Sequence, residues 1–187
     1  NAGAAKEFFA WLRDYPDAAL ANYGKVLAAH EVNSPAFIAQ WKELGLLDPG
    51  NFGRLQDEYI KEQYYDRAAA YLCKENYCAD KHTNAMKAVI LSRAVQNGAS
   101  GCLQLMKHAL PAVDKGRMWN LSYVDDPYFD RDMITAVYDF LIAECDSVVP
   151  MGGIYQSRYN FVHAGRAVVD GLRSRFVREK ADALNLL

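Results

Sequence analysis

The stretch DEYIKEQYYDRAAAYL, Asp57 to Leu72, sets Glu62 and Asp66 one helical turn apart beside Tyr64 and Tyr65. Aromatic faces pack on the apolar faces of sugars, and carboxylates accept hydroxyl hydrogen bonds. The stretch therefore reads either as the wall of a sugar cleft or as helix-to-helix packing. Two more acidic pairs follow. Asp125 and Asp126 sit in a turn-rich segment, and Asp130 and Asp132 open the helix after it. Hydrolysis of a glycosidic bond uses two carboxyl groups about 5–9.5 Å apart, one of them kept protonated. Neighbours one turn apart on a helix meet that separation, but so does an ordinary solvated helix face.

Other chemistries lack their residues. The chain has no GxSxG, HExxH, GxxxxGK[ST] or GxGxxG. His30, His82, His108 and His163 are scattered without ligand spacing and read as surface or satisfied core residues. Cys73 and Cys78 have no CxxC partner elsewhere, so no metal site and no cofactor are expected. The four cysteines, with Cys102 and Cys145, read as buried free thiols. A local Cys73–Cys78 bridge is the alternative in an oxidising setting.

The elements that must position these groups are helical. At 187 residues and 51% hydrophobic, the chain can bury a core as one domain, residues 1–187. A formal net charge of -2 gives no general field for nucleic acid or an acidic membrane. No apolar run approaches the roughly 20 residues that span a bilayer. No charged-then-apolar leader opens the chain, which leaves open a cytoplasmic protein or one exported by another route.

Phe8, Trp11, Leu12 and Tyr15 recur at helical spacing. Ser34-Pro35 and Asp48-Pro49 are helix-start signals. Phe37, Ile38, Trp41 and Leu44 form the stripe of the first helix and Gly45 its stop. Phe52, Leu55, Tyr59, Ile60 and Tyr64 form the stripe of the second. Thr83 or Asn84 caps a helix ended by Asn97-Gly98, with Met86, Val89, Ile90 and Ala94 inward. Another helix runs to Pro111, turns fill Lys115 to Pro127, and a helix spans Arg131 to Cys145. One long helix, Phe161 to Leu187, closes the chain with Val169, Leu172, Phe176 and Leu184 buried, and with Arg175–Glu179 and Arg178–Asp182 at supportive spacing. No alternating run is long enough for a sheet. The expected fold is all-α, a bundle of about seven helices.

Four segments in order carry a resemblance: FIAQWKELGLLDPGNFGRLQDEYIKEQYYDRAA, LSRAVQNGA, MITAVYDFLI and LRSRFVREKADALNLL. Together they resemble the chitosanase/lysozyme-like catalytic domains of phage tail lysins and type VI secretion spike proteins. The resemblance covers essentially the whole chain. It implies a mostly helical fold of the lysozyme superfamily and hydrolysis of peptidoglycan glycan strands, with no nucleic acid and no membrane insertion. It also implies assembly on a phage tail or secretion spike, and action on the cell wall after delivery from the producing cell's cytoplasm.

The family's His-Tyr-Asp-Pro stands here as Tyr64-Tyr65-Asp66-Arg67, and its VQHG as Val95-Gln96-Asn97-Gly98. Tyr65, Asp66, Gln96 and Asn97 are accordingly the expected substrate contacts. The family's general-acid glutamate and glycine-rich YGxYQ segment match no residue of this sequence and precede its start. The expectation is the helical body of such a glycosidase, its catalytic residues unassigned. The alternative is a non-catalytic helical module binding cell wall or a protein partner.

Overall fold

The computed structural model describes residues 2–114 and 120–187, and these form two compact units, Asn1–Gln63 and Tyr64–Leu187. The smaller unit holds α1 (Ala2–Arg13), α2 (Ala18–Ala28), α3 (Pro35–Leu47) and α4 (Pro49–Ile60). Its starts are the expected ones. Ser34 Oγ accepts from Phe37 N at 3.1 Å, and Asp48 caps α4 through Asn51 N. Asp17, which carried no expectation, caps α2 through Ala19 N at 2.8 Å.

Phe8, Phe9, Leu12, Phe37, Leu44, Phe52, Leu55 and Tyr59 are buried together, with Trp11, Tyr15 and Trp41 packed on their margin. Two residues of the expected stripes are out of it: Ile38 is 45% and Ile60 37% exposed. Gly24 lets α2 approach α1. A Cβ there would sit 2.7 Å from the Phe9 carbonyl and 2.8 Å from Leu12 Cβ, so no larger residue fits.

The larger unit contains α5 (Arg67–Cys73), α6 (Asn84–Val113), α7 (Asp130–Asp146) and α8 (Arg166–Asn185). A π-helical segment, Lys61–Asp66, precedes α5, so helical backbone is continuous from Pro49 to Cys73. The eight α-helices thus make seven continuous helical segments among the described residues, and the fold is mostly α.

Thr83 caps α6 through Met86 N. At Gly98 (φ 75°, ψ 168°) the helical backbone breaks, as Asn97-Gly98 predicts, and then resumes. Pro111 does not close the helix but lies in its last turn, which continues to Val113. Of the expected turn from Lys115 to Pro127, residues 115–119 lie outside the described part. Its remainder forms 3₁₀ turns at Leu121–Val124 and, leading into α7, Pro127–Phe129.

One element has no counterpart among the expected ones. Val149–Met151, Ile154–Gln156 and His163–Ala164 form an antiparallel sheet, β1-β2-β3, with Gly152-Gly153 as the two-residue turn at φ 57° and 92°. Strands of three, three and two residues are too short for alternation to show. As a consequence the last helix begins at Arg166 and not at Phe161. Val169 and Phe176 are buried as expected, and Leu172 and Leu184 are half-buried. The Arg175–Glu179 pair forms at 2.5 Å, whereas Arg178 and Asp182 make no ion pair among the described residues. No described helix is long and apolar enough to cross a membrane.

Candidate functional site

A trough of about 510 Å³ runs between the C-terminal half of α6 and the first half of α7. His108, Ala109, Ala112 and Val113 line it from α6; Asp132, Thr135, Ala136, Asp139 and Phe140 line it from α7. The α7 set falls at i, i+3, i+4, i+7 and i+8 and the α6 set at i, i+1, i+4 and i+5, so each is one face of a helix. The alanines at the floor keep the two helices' side chains from filling the gap.

An aromatic wall closes one end. His108 stacks on Phe140 with ring centroids 5.4 Å apart and 13° between planes, and Tyr159 lies 4.4 Å from the imidazole. Phe161 meets both His108 and Phe140 edge-on. Burial pushes the His108 pKa below its ordinary value, opposed by the nearby Glu144 charge. The imidazole is therefore neutral at pH 7 and acts as a flat ring.

Tyr159 and Phe161 come from the loop between β2 and β3, and Glu144 of α7 holds that loop. Its buried carboxylate accepts from Ser157 Oγ at 2.5 Å and from Tyr159 N at 3.2 Å, while Ser157 Oγ accepts from Val162 N. Asp132 and Asp139 stand on the exposed rim, two helical turns apart, a rise of roughly 10 Å. Lys180 donates to Asp139 at 2.6 Å; Asp132 has no hydrogen bond or ion pair among the described residues. An aromatic end wall, an apolar floor and rim carboxylates are what a sugar ring and its hydroxyls require.

The other acidic residues singled out in the sequence have structural partners. His82 is buried, with Nδ1 2.5 Å from Asp130 Oδ1, Nε2 3.3 Å from Asp125 Oδ1, and its ring stacked on Tyr77. Asp130 also accepts from Thr83 N, and Asp125 from Cys78 N and Lys81 Nζ. Burial alone works against the Asp125 carboxylate. The Cys78 N–H, Lys81 and His82 outweigh it and hold its pKa below the usual range. Asp126 caps the turn at Tyr128 N. Glu62 accepts from Trp11 Nε1 at 3.0 Å and from the Gln63 amide.

Among the resemblance-derived contacts, Tyr65 is buried and donates to Asp80 at 2.9 Å; burial, then that bond, pushes its pKa well up. Asp66 is exposed at the end of the π-helical segment. Gln96 and Asn97 directly precede the Gly98 break, half-buried, and their side-chain oxygens are enclosed without a hydrogen-bond partner among the described residues. None of these four lines the trough. His108, Asp132, Asp139 and Phe140 line the trough and are not among the expected contacts, although Asp132 is one of the candidate carboxylates. The available signal was the pairing of small residues with Asp and Phe at helical spacing on two successive helices.

All four thiols are free. Cys102 and Cys145 are buried, with pKa values pushed up to about 12 and about 11, first of all by desolvation. Cys73 is exposed and Cys78 half-buried, which departs from the expectation of burial. The described residues include no group of three metal-ligating side chains placed to hold an ion.

No curated protein matches the chain. A family profile, described as type VI secretion system spike protein VgrG3-like, C-terminal, matches residues 18–180, a span that includes every residue lining the trough. With most of its length matched, the chain belongs to the VgrG3-like C-terminal family and is a domain associated with the type VI secretion spike.

Proposed function

We propose that this domain is the helical body of a peptidoglycan glycan-strand hydrolase carried by a type VI secretion spike, and that the α6–α7 trough receives the glycan. One observation carries the reading: the trough combines a stacked His108–Phe140 wall with the rim carboxylate of Asp132, which has no partner among the described residues. A pyranose ring packs on the wall, and its hydroxyls donate to Asp132 and Thr135 acceptors. Hydrolysis of the bound strand needs a carboxylic acid to protonate the glycosidic oxygen. The lysozyme-like resemblance matches that acid to no residue of this sequence, so it stays unassigned. Asp66, Gln96, Asn97 and Tyr65 remain a second set of proposed contacts. The protein is made in the cytoplasm of the producing cell and reaches the wall by delivery.

Co-sedimentation with purified sacculi tests this, with turbidity followed in the same samples. The wild-type chain is expected to pellet with sacculi, and Asp132→Asn and Phe140→Ala to pellet less. Pelleting without turbidity loss supports a wall-binding body. Failure to pellet, or pelleting that both variants retain, contradicts the assignment of the trough.

A further inference from the structure

The smaller unit has a feature that glycan binding in the larger one leaves unused. Two cavities of about 320 and 270 Å³ adjoin at Val32, between α1, the turn after α2 and the first turns of α3. Phe37 and Trp41 wall the first and Phe9 the second. With Phe9–Phe37 centroids 5.6 Å apart and Phe37–Trp41 5.8 Å, the floor is one continuous aromatic surface.

The charge around this floor is one-sided. Residues 1–63 carry six Lys/Arg against nine Asp/Glu, so the unit is acidic. Yet Lys6, Arg13 and Lys42 all line the two cavities, with His30, against the single acid Glu31. None of the three makes an ion pair among the described residues, whereas Arg54 of the same unit is bonded to Glu58 and Tyr15. Lys6 and Arg13 lie seven residues apart on α1, a rise of roughly 10 Å, which is the length of about three extended residues. Arg and Lys at that spacing can each meet a carboxylate.

We propose that this groove binds a short peptide bearing free carboxylates. Its small aliphatic side chains rest on the Phe9–Phe37–Trp41 floor, and its carboxylates meet Lys6, Arg13 and Lys42. The sunken floor favours a small ligand over a bilayer: Phe9 is 3% and Phe37 8% exposed, so the rings form a recess and do not project. The proposal rests on the cell-wall reading only in the choice of peptide, since wall glycan carries short peptides of this chemistry.

The test is calorimetric titration of the full chain with three probes: the tetrapeptide L-Ala-γ-D-Glu-meso-diaminopimelyl-D-Ala, the same peptide with its carboxylates amidated, and N-acetylglucosamine tetramer. The free peptide is expected to bind, and the amidated one about tenfold more weakly or worse. Arg13→Glu and Lys42→Glu are each expected to lose about tenfold for the free peptide and to leave the tetramer's affinity unchanged. Lys42→Gln, on an exposed side chain, should give a smaller loss in the same direction. Equal binding of both peptides, charge reversal without effect, or no peptide binding at about 1 mM overturns the proposal. So does binding to anionic phosphatidylglycerol vesicles that both reversals abolish, in the absence of peptide binding. Peptide binding with no tetramer binding leaves this proposal standing and removes the glycan reading.

Discussion

Among the described residues, the buried polar ones, His82, Arg93, Asp130, Glu144 and Ser157, all lie in the larger unit, and the buried residues of the smaller unit are apolar or aromatic. The difference follows from what each must hold. Four helices with short connections are placed by apolar stripes and by local caps at Asp17, Ser34 and Asp48. The larger unit must also fix loops and a hairpin whose strands are too short to hold themselves. Directional bonds do that. His82–Asp130 ties the segment before α6 to the start of α7, and Glu144–Ser157 ties the β2–β3 loop beside the trough.

Arg93 ties α8 down. Its guanidinium lies over Tyr138 and Phe176 at 5.4 and 5.1 Å and donates to Glu179. Burial lowers the Arg93 pKa, opposed by the neighbouring Tyr138 and Glu179. Such anchors specify one arrangement, and losing one partner strands the other in a low-dielectric interior.

The largest effect is expected where apolar burial and an anchor coincide. Phe176→Ala should cost about 3–5 kcal/mol, since it opens a cavity and removes one face of the Arg93 stack. Thermal melting checks it, and an unchanged melt would mean that α8 is not docked. Next is Asp130→Ala, expected to cost about 3 kcal/mol because the His82 ring nitrogen and the Thr83 N–H lose their buried acceptor. Its counterpart in the smaller unit, Ser34→Ala at the α3 cap, removes a half-buried bond that water replaces and should cost about 1 kcal/mol. If the two losses measured by denaturant titration are equal, the contrast between the units fails.

The caps and the Gly98 break were legible because each is decided by a few adjacent residues: Ser34-Pro35, Asp48-Pro49, Thr83, Asn97-Gly98. Met86, Val89, Ile90, Val169 and Phe176 were legible as core for the same reason, one helix face at a time. The trough was not. Its walls come from residues 108–113 and 132–140, and only tertiary packing of α6 on α7 makes the buried Ala109 and Ala136 a floor. The hairpin left a weaker mark, Gly152-Gly153 between the short runs Val149–Met151 and Ile154–Gln156, which reads as a loop until β2 finds β3.

The smallest expected effect is on pH dependence. The folded His108 pKa lies below its unfolded value, so as pH falls below about 6.5 the unfolded chain takes a proton first. Stability is lost between that value and the depressed folded one. Asp125, also held low, adds a second loss beginning near the ordinary carboxylate pKa of about 4. His108→Gln should flatten the first of these declines and leave the second. A decline setting in below about pH 6.5 that survives the substitution would move its source elsewhere.

The trough itself is best tested by nitrogen-15 NMR titration of the full chain with N-acetylglucosamine tetramer. Backbone shifts are expected at Asp132, Thr135, Phe140 and Tyr159, saturating in one binding event. Phe140→Ala should weaken that event about tenfold, as loss of an aromatic platform does. Shifts confined to residues outside the trough, or an affinity that Phe140→Ala and Asp132→Asn leave untouched, would contradict the assignment of this cleft to a glycan.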